Sequence, residues 1–168
     1  IGKLLKQINF PKGVINIICG EPTKVAQTLS KSTIPNLITM IGSTETAKKV
    51  ISDSSTSIKK YSMELGGNAP FIVFDDADIN TAISIGAAIK FGNCGQICVA
   101  ANRFFVHEKV YDKFLNGLIE KAKNLKIGYS KDLDFEIGPL ISKKSRNRIT
   151  NLIKNTIDSG GNLECGGG

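Results

Sequence analysis

The sequence predicts an α/β protein organised around a parallel sheet. Three observations carry this. Short, branched, apolar runs recur at residues 14–19, 37–41 and 71–74. They lack strict alternation, as expected of strands covered on both faces. The first two are followed by segments with apolar residues at helical spacing, joined by short Gly- and Pro-containing links, which is the order of a βα repeat.

In chain order, residues 3–9 read as a helix stopped by Pro11 and Gly13. Residues 14–19 are expected as a buried strand ending at Gly20. Glu21-Pro22 opens a helix through Lys31, with Pro22 in its first turn and Val25, Ala26 and Leu29 on its inner face. A second buried strand, 37–41, runs into Gly42-Ser43-Thr44-Glu45 and a helix over 45–52 that turns Ala47, Val50 and Ile51 inward. A third strand over 59–63 leads to Glu64. Beyond Gly66-Gly67, residues 71–74 form another strand, and Asp75, Asp76 and Asp78 supply acidic caps for the next helix.

That helix, 78–91, is apolar on nearly every face and is expected to be buried all round. Residues 92–96 end it, and 102–107 form a strand. A helix over 109–126 follows, with Val110, Phe114, Leu118, Ala122 and Leu125 at helical spacing, until Gly128 stops it. Residues 129–141 are a polar loop containing Gly138-Pro139. A last helix, 143–158, points Ile149, Leu152, Ile153 and Ile157 inward, and a strand is expected to start at Asn162-Leu163. The opening Gly2-Lys3-Leu4-Leu5-Lys6 reads as the tail of an amphipathic helix, and Gly166-Gly167-Gly168 as a turn entering a further element. Both ends are therefore expected to continue in a longer protein.

With 168 residues, 41% of them hydrophobic, the chain has the make-up of a folded protein with a real core. No apolar stretch is long enough to span a bilayer, so no membrane partner is expected. The net charge of +7 divides as +5 over residues 1–64, −2 over 65–100 and +4 over 101–168. The lysines fall at helix faces and ends without a long basic run, which argues against a nucleic-acid partner. Four cysteines and one histidine are too few and too scattered for a disulfide scaffold or a tetrahedral zinc site, so a reducing compartment is the default and no metal is expected.

Two segments carry the chemistry: Met63-Glu64-Leu65-Gly66-Gly67-Asn68-Ala69-Pro70, and Asn93-Cys94-Gly95-Gln96-Ile97-Cys98. Cys98 reads either as a buried structural thiol or as a nucleophile whose neighbouring amides, 96–99, face an oxyanion. Cys94 is its rival, as core filler or as a disulfide partner under oxidation. Glu64, beside a Leu-Gly-Gly turn, is the better base because partial desolvation there would raise its proton affinity. His107 reads mainly as a surface residue at a helix start. Gly42-Ser43-Thr44-Glu45 is either an anion-binding helix start or simply a capped one, since it matches neither the dinucleotide fingerprint nor a P-loop.

The wording of residues 63–78 and 93–103 resembles the two signature segments of the NAD(P)-dependent aldehyde dehydrogenase superfamily. Phe10 to Gly20, Gly42-Ser43-Thr44-Glu45 and Ile137-Gly138-Pro139-Leu140-Ile141 match further family landmarks. Gly66-Gly67-Asn68-Ala69-Pro70 and Cys98-Val99-Ala100-Ala101-Asn102-Arg103 are most similar to the succinate-semialdehyde dehydrogenase branch, with lactaldehyde and glycolaldehyde dehydrogenases close behind. The resemblance implies a central fragment of that fold. Residues 1–65 would be the C-terminal part of a Rossmann-like dinucleotide-binding domain, and 66–168 the N-terminal part of the catalytic domain.

It also implies that Cys98 attacks an aldehyde to form a thiohemiacetal, with its own amide in the oxyanion hole, and that Glu64 activates water to hydrolyse the resulting thioester. Gly42 and Ser43 would lie against the pyrophosphate of NAD or NADP, and Leu65 would present its carbonyl to the nicotinamide amide. Asn68 and Pro70 would shape the turn, and Gln96 would set the nucleophile loop. The parent would be a cytoplasmic homodimer or homotetramer acting on a small aldehyde, and the isolated 168-residue piece would be inactive. Three positions depart from the pattern: Met40-Ile41 replaces a Phe-Thr pair, Ala47 a glycine, and Ala100 a second cysteine.

Overall fold

The computed structural model of the chain describes residues 1–129 and 134–167. Residues 130–133 of the loop expected over 129–141 and Gly168 of the terminal glycine run lie outside the described residues. The chain divides into two compact units, Ile1–Gly66 and Gly67–Gly168.

The first unit holds helices α1 (Gly2–Gln7), α2 (Pro22–Lys31) and α3 (Thr44–Asp53), and strands β1 (Leu37–Gly42) and β2 (Lys60–Leu65). The strands run parallel, in register from Leu37 opposite Lys60 to Gly42 opposite Leu65. Along β1 the pleat turns Ile38 and Met40 toward α2 and α3, leaving Leu37 and Ile41 on the other face. Ile41 is 84% exposed, so the expectation of a fully buried strand holds for one face only. Ala47 and Val50 of α3 are buried as expected, but Ile51 and Leu29 are exposed.

Residues 14–19 form no strand: Val14, Ile15, Ile17 and Ile18 are exposed, and no described strand pairs with them. A run with strand-like composition still needs a neighbour for its backbone groups before it becomes a ladder. The start of β2 is seated by Lys59, 8% exposed, whose Nζ donates to the Ser54 carbonyl (3.1 Å) and Ser57 Oγ (2.6 Å). Ser54 Oγ in turn pairs with the Tyr61 hydroxyl at 2.7 Å.

The second unit holds strands β3 (Pro70–Val73) and β4 (Arg103–Val106) and helices α4 (Ile79–Phe91), α5 (Glu108–Lys123) and α6 (Lys143–Asp158). β3 and β4 are parallel, Pro70 opposite Arg103 through Val73 opposite Val106. Its core is Val73, Ile79, Ile83 and Phe114, with Phe71 and Phe104 packed against them. The three rings sit 5.3–6.3 Å apart, centroid to centroid. Gly86 lets α4 approach them, because a Cβ there would come within 3.3 Å of Phe104 and 3.4 Å of Phe114.

Helix α4 buries one stripe, Ile79, Ile83, Gly86 and Ala87, while Ile85 is exposed. The expectation of burial on every face is thus corrected: apolar composition fixes what a helix can bury, and its neighbours fix what it does bury. In α6, Leu152 and Ile157 are exposed rather than inward, and no strand begins at Asn162-Leu163.

Caps follow the acidic and small polar residues. Asp78 Oδ1 accepts from the amides of Asn80 (3.0 Å) and Thr81 (3.2 Å), and Oδ2 from the Thr81 hydroxyl. The Thr81 hydrogen bonds, with that from Asn80, hold the Asp78 carboxyl below its usual range. The Lys109 ammonium, 2.9 Å away, does the same for Asp75. His107 itself caps α5, its Nδ1 accepting from the Lys109 amide at 3.3 Å, which favours the helix-start reading over a catalytic one.

Candidate active site

Strand β2 runs on through Glu64 and Leu65 rather than stopping at Met63. This places Glu64 beside Ile41, and Leu65 beside Gly42, at the carboxyl ends of a parallel pair. Ligands of open α/β sheets bind at such strand ends. The next residue, Ser43, caps α3: its Oγ accepts from the Thr46 amide at 3.2 Å and meets Thr46 Oγ1 at 2.9 Å. The amides of Thr44 and Glu45, in the first turn, have no intrahelical acceptor and point their partial positive charge outward. The Glu45 carboxylate in that turn offsets part of this field for an incoming anion. Gly42, Ser43, Glu64 and Leu65 are thereby gathered at one edge of one unit.

Glu64 lies on the face of β2 turned from α2 and α3 and is exposed. The burial expected of it is not found: Glu64 stands at the end of a two-stranded ladder, on its uncovered face.

Beside this edge lies a feature that residue-by-residue reading missed. Helices α2 and α3 diverge over β1 to leave an open, mainly apolar cleft of about 790 Å³, lined by Pro22, Ala26, Ile38, Met40, Thr46 and Val50 among others. Apart from Met40, a departure from the family pattern, each of these residues reads from the sequence only as part of a helix or strand. Pairing their faces across two helices would have been the signal.

Cys98 belongs to the second unit and is exposed, not a buried structural thiol. Helix α4 ends at Gly92, and Asn93, Cys94 and Gly95 follow with φ of 50°, 58° and 69°, all left-handed. Left-handed backbone is ordinary for Gly, tolerable for Asn and costly for Cys. Residues 97–100 then turn tightly, the Ala100 amide donating to the Ile97 carbonyl at 3.0 Å. Cys98 rides on this turn. Among the described residues, neither its amide nor that of Val99 donates a hydrogen bond, whereas the Gln96 amide, expected in the same run, is engaged by the Asn93 carbonyl at 3.1 Å.

The residues after the turn tie it to the first signature segment. Arg103 Nε and Nη2 both donate to the Asn68 carbonyl, at 3.1 and 2.8 Å. Asn102 Nδ2 donates to the Gly67 carbonyl at 3.2 Å, and the Asn102 amide to that of Ala69 at 3.0 Å. A Cβ at Gly67 would stand 3.8 Å from the Cys98 carbonyl oxygen. The two signature segments are one structure from Gly67 onward.

The sequence profile of the aldehyde dehydrogenase family matches residues 1–168. The chain belongs to the aldehyde dehydrogenase family. It is 39% identical over 166 residues to succinate-semialdehyde dehydrogenase [NADP(+)] 2 of Schizosaccharomyces pombe, covering 98% of this chain and 34% of that protein. The crystal structure of succinate-semialdehyde dehydrogenase from Burkholderia pseudomallei superimposes with a TM-score of 0.94 at 37% identity, over 99% of this chain and 34% of that one. Betaine aldehyde dehydrogenase from Staphylococcus aureus, in complex with NAD+, superimposes with a TM-score of 0.93 at 33% identity, over 99% and 33%. The chain thus spans about a third of the length of these relatives. Its parallel α/β architecture is a partial, Rossmann-like aldehyde dehydrogenase fold. Among the described residues, no helix of this family member is long and apolar enough to cross a membrane, and no cluster of His, Cys, Asp or Glu could hold a metal.

Proposed function

We propose that this chain is the central part of an enzyme that oxidises a small aldehyde, succinate semialdehyde in the first instance, to its carboxylic acid. In this reading residues 1–65 close a dinucleotide-binding domain and residues 66–168 open the catalytic domain. The observation that carries it is Cys98, exposed on a tight turn with unengaged amides at its own position and the next. A thiolate there attacks the aldehyde carbon, and the forming oxyanion is met by the Cys98 amide. NAD or NADP, when bound, accepts the hydride that converts the thiohemiacetal to a thioester. Glu64 takes a proton from water, whose hydroxyl oxygen adds to the acyl carbon and expels the Cys98 thiolate as the acid forms.

The residues present fit such a cofactor. The first-turn amides of α3 beyond Gly42-Ser43 suit a pyrophosphate, and the apolar cleft between α2 and α3 suits a flat adenine ring. The Leu65 carbonyl, at the next strand's end, is the acceptor offered to a nicotinamide amide. The parent protein is read as a cytoplasmic homodimer or homotetramer, in a compartment that keeps Cys98 reduced. The 168-residue piece by itself is read as inactive.

The test is kcat/KM of the full-length protein for succinate semialdehyde, lactaldehyde and an unbranched aliphatic aldehyde, each with NAD and NADP, beside a Cys98→Ala variant. The expected result is highest kcat/KM for succinate semialdehyde and loss of at least about a thousandfold in the variant. Preference for lactaldehyde would move the protein to the neighbouring branch. Turnover without Cys98 would end the proposal.

A further inference from the structure

The left-handed run before the nucleophile needs something to hold it. Asn93 and Gly95 adopt positive φ at little cost, but Cys94 carries a Cβ and gains nothing from its own backbone at φ 58°. Three hydrogen bonds close the turn upon itself. Asn93 Nδ2 donates to the Gln96 carbonyl (3.3 Å), Gln96 Nε2 to the Asn93 carbonyl (3.3 Å), and the Gln96 amide to the same carbonyl (3.1 Å).

One bond leads away. The half-buried Cys94 Sγ donates to the Gly138 carbonyl at 3.2 Å, across 44 residues of sequence. Among the described residues it is the only hydrogen bond joining residues 93–98 to a distant segment. Its acceptor is well anchored: Ile127 and Ile137 form a parallel bridge, with the Gly128 amide donating to the Ile137 carbonyl at 3.0 Å and the Ile137 amide to the Lys126 carbonyl at 3.1 Å.

We propose that Cys94 is a positioning residue for Cys98: its thiol, held by the Gly138 carbonyl, fixes the left-handed turn that presents the nucleophile and its amide. This rests on the reading of Cys98 as nucleophile. Cys94 is then neither core filler nor a spare nucleophile. A thiol is a weak donor, so the effect is one of placement rather than of bulk stability.

The test uses the full-length protein with Cys94→Ala, Cys94→Ser and Cys98→Ala. Alanine and cysteine bear the same left-handed backbone cost, so Cys94→Ala removes the thiol contact alone. It is expected to lower kcat about three- to fivefold with KM nearly unchanged. It should also speed hydrogen–deuterium exchange in the peptide covering 92–100, while peptides from the Phe114 core exchange as before. Cys94→Ser, which keeps a donor, is expected to recover much of both. Wild-type exchange over 92–100 in Cys94→Ala, or wild-type kcat, would overturn the proposal. So would a uniform rise in exchange across the whole second unit, which would mean a purely structural role. Loss of turnover in Cys98→Ala upholds the nucleophile independently of Cys94. Retained turnover ends that reading, and unchanged exchange over 92–100 would still overturn the positioning role on its own.

Discussion

Cys98 and Glu64 carry the proposed chemistry from unlike settings, an exposed tight turn and the exposed end of a strand. Cys98 stood out because Gly95 and Gln96 precede it and Ala100-Ala101-Asn102-Arg103 follow, and those last two residues do fasten the turn, through the carbonyls of Gly67 and Asn68. Glu64 stood out beside Gly66-Gly67, but its environment did not: it was expected beyond a strand and partly desolvated, and it lies within β2, exposed. Desolvation depends on what covers a side chain, and that information is not local. The same holds for Cys94, whose bond to Gly138 joins residues 44 apart. At this scale the account predicts that Glu64→Gln in the full-length protein lowers steady-state kcat by about 10²–10⁴-fold, the range of a lost general base. It should preserve a first, rapid burst of NAD(P)H, because acyl formation on Cys98 does not need the carboxylate. Stopped-flow absorbance reads both phases, and loss of the burst together with steady turnover would show Glu64 acting earlier.

Helices were read more accurately than strands, and the reason is how each is stabilised. A helix satisfies its own backbone and its ends carry local signals: Pro22 after Glu21, Ser43, Asp78 and Ser142 all sit at or beside observed starts. A strand needs a partner, so residues 14–19 stayed unpaired despite a strand-like composition. Burial followed the same rule, with Phe114 buried as its spacing predicts and Leu152 exposed against it. Two predictions belong here. Phe114→Ala removes the buried ring packed against both Phe71 and Phe104, and should cost about 3–5 kcal/mol in urea unfolding of the second unit. A loss below about 1 kcal/mol would mean the trio is not its core. The second concerns acid. Asp75 and Asp78 have carboxyls held below their ordinary values in the folded state. Their contribution is therefore fully present above the unfolded carboxylate range, near pH 4, and is lost as pH falls through the lowered folded values. Asp78→Asn keeps a cap but no charge, so its deficit in urea midpoint relative to wild type should be largest near neutrality and shrink below about pH 4. A deficit independent of pH would contradict the assignment.

At the scale of the whole molecule, the chain carries many exposed apolar side chains, Ile41, Ile58, Phe74 and Ile141 among them, and spans about a third of its relatives' length. The fold class was legible because βα order, link length and glycine placement are properties of the chain itself. The uncovered faces were not, because each strand was read as if both its neighbours were in hand. The proposed chemistry passes an acyl group from Cys98 to water activated by Glu64. That passage is open to direct measurement in the full-length protein. Glu64→Gln enzyme is mixed with succinate semialdehyde and NAD or NADP, quenched in acid, digested and examined by mass spectrometry. The account predicts a succinyl thioester on the peptide containing Cys98, at Cys98 and not at Cys94, absent when cofactor is omitted. Turnover-competent protein with Cys98 unmodified, or with the acyl group on another residue, would contradict it.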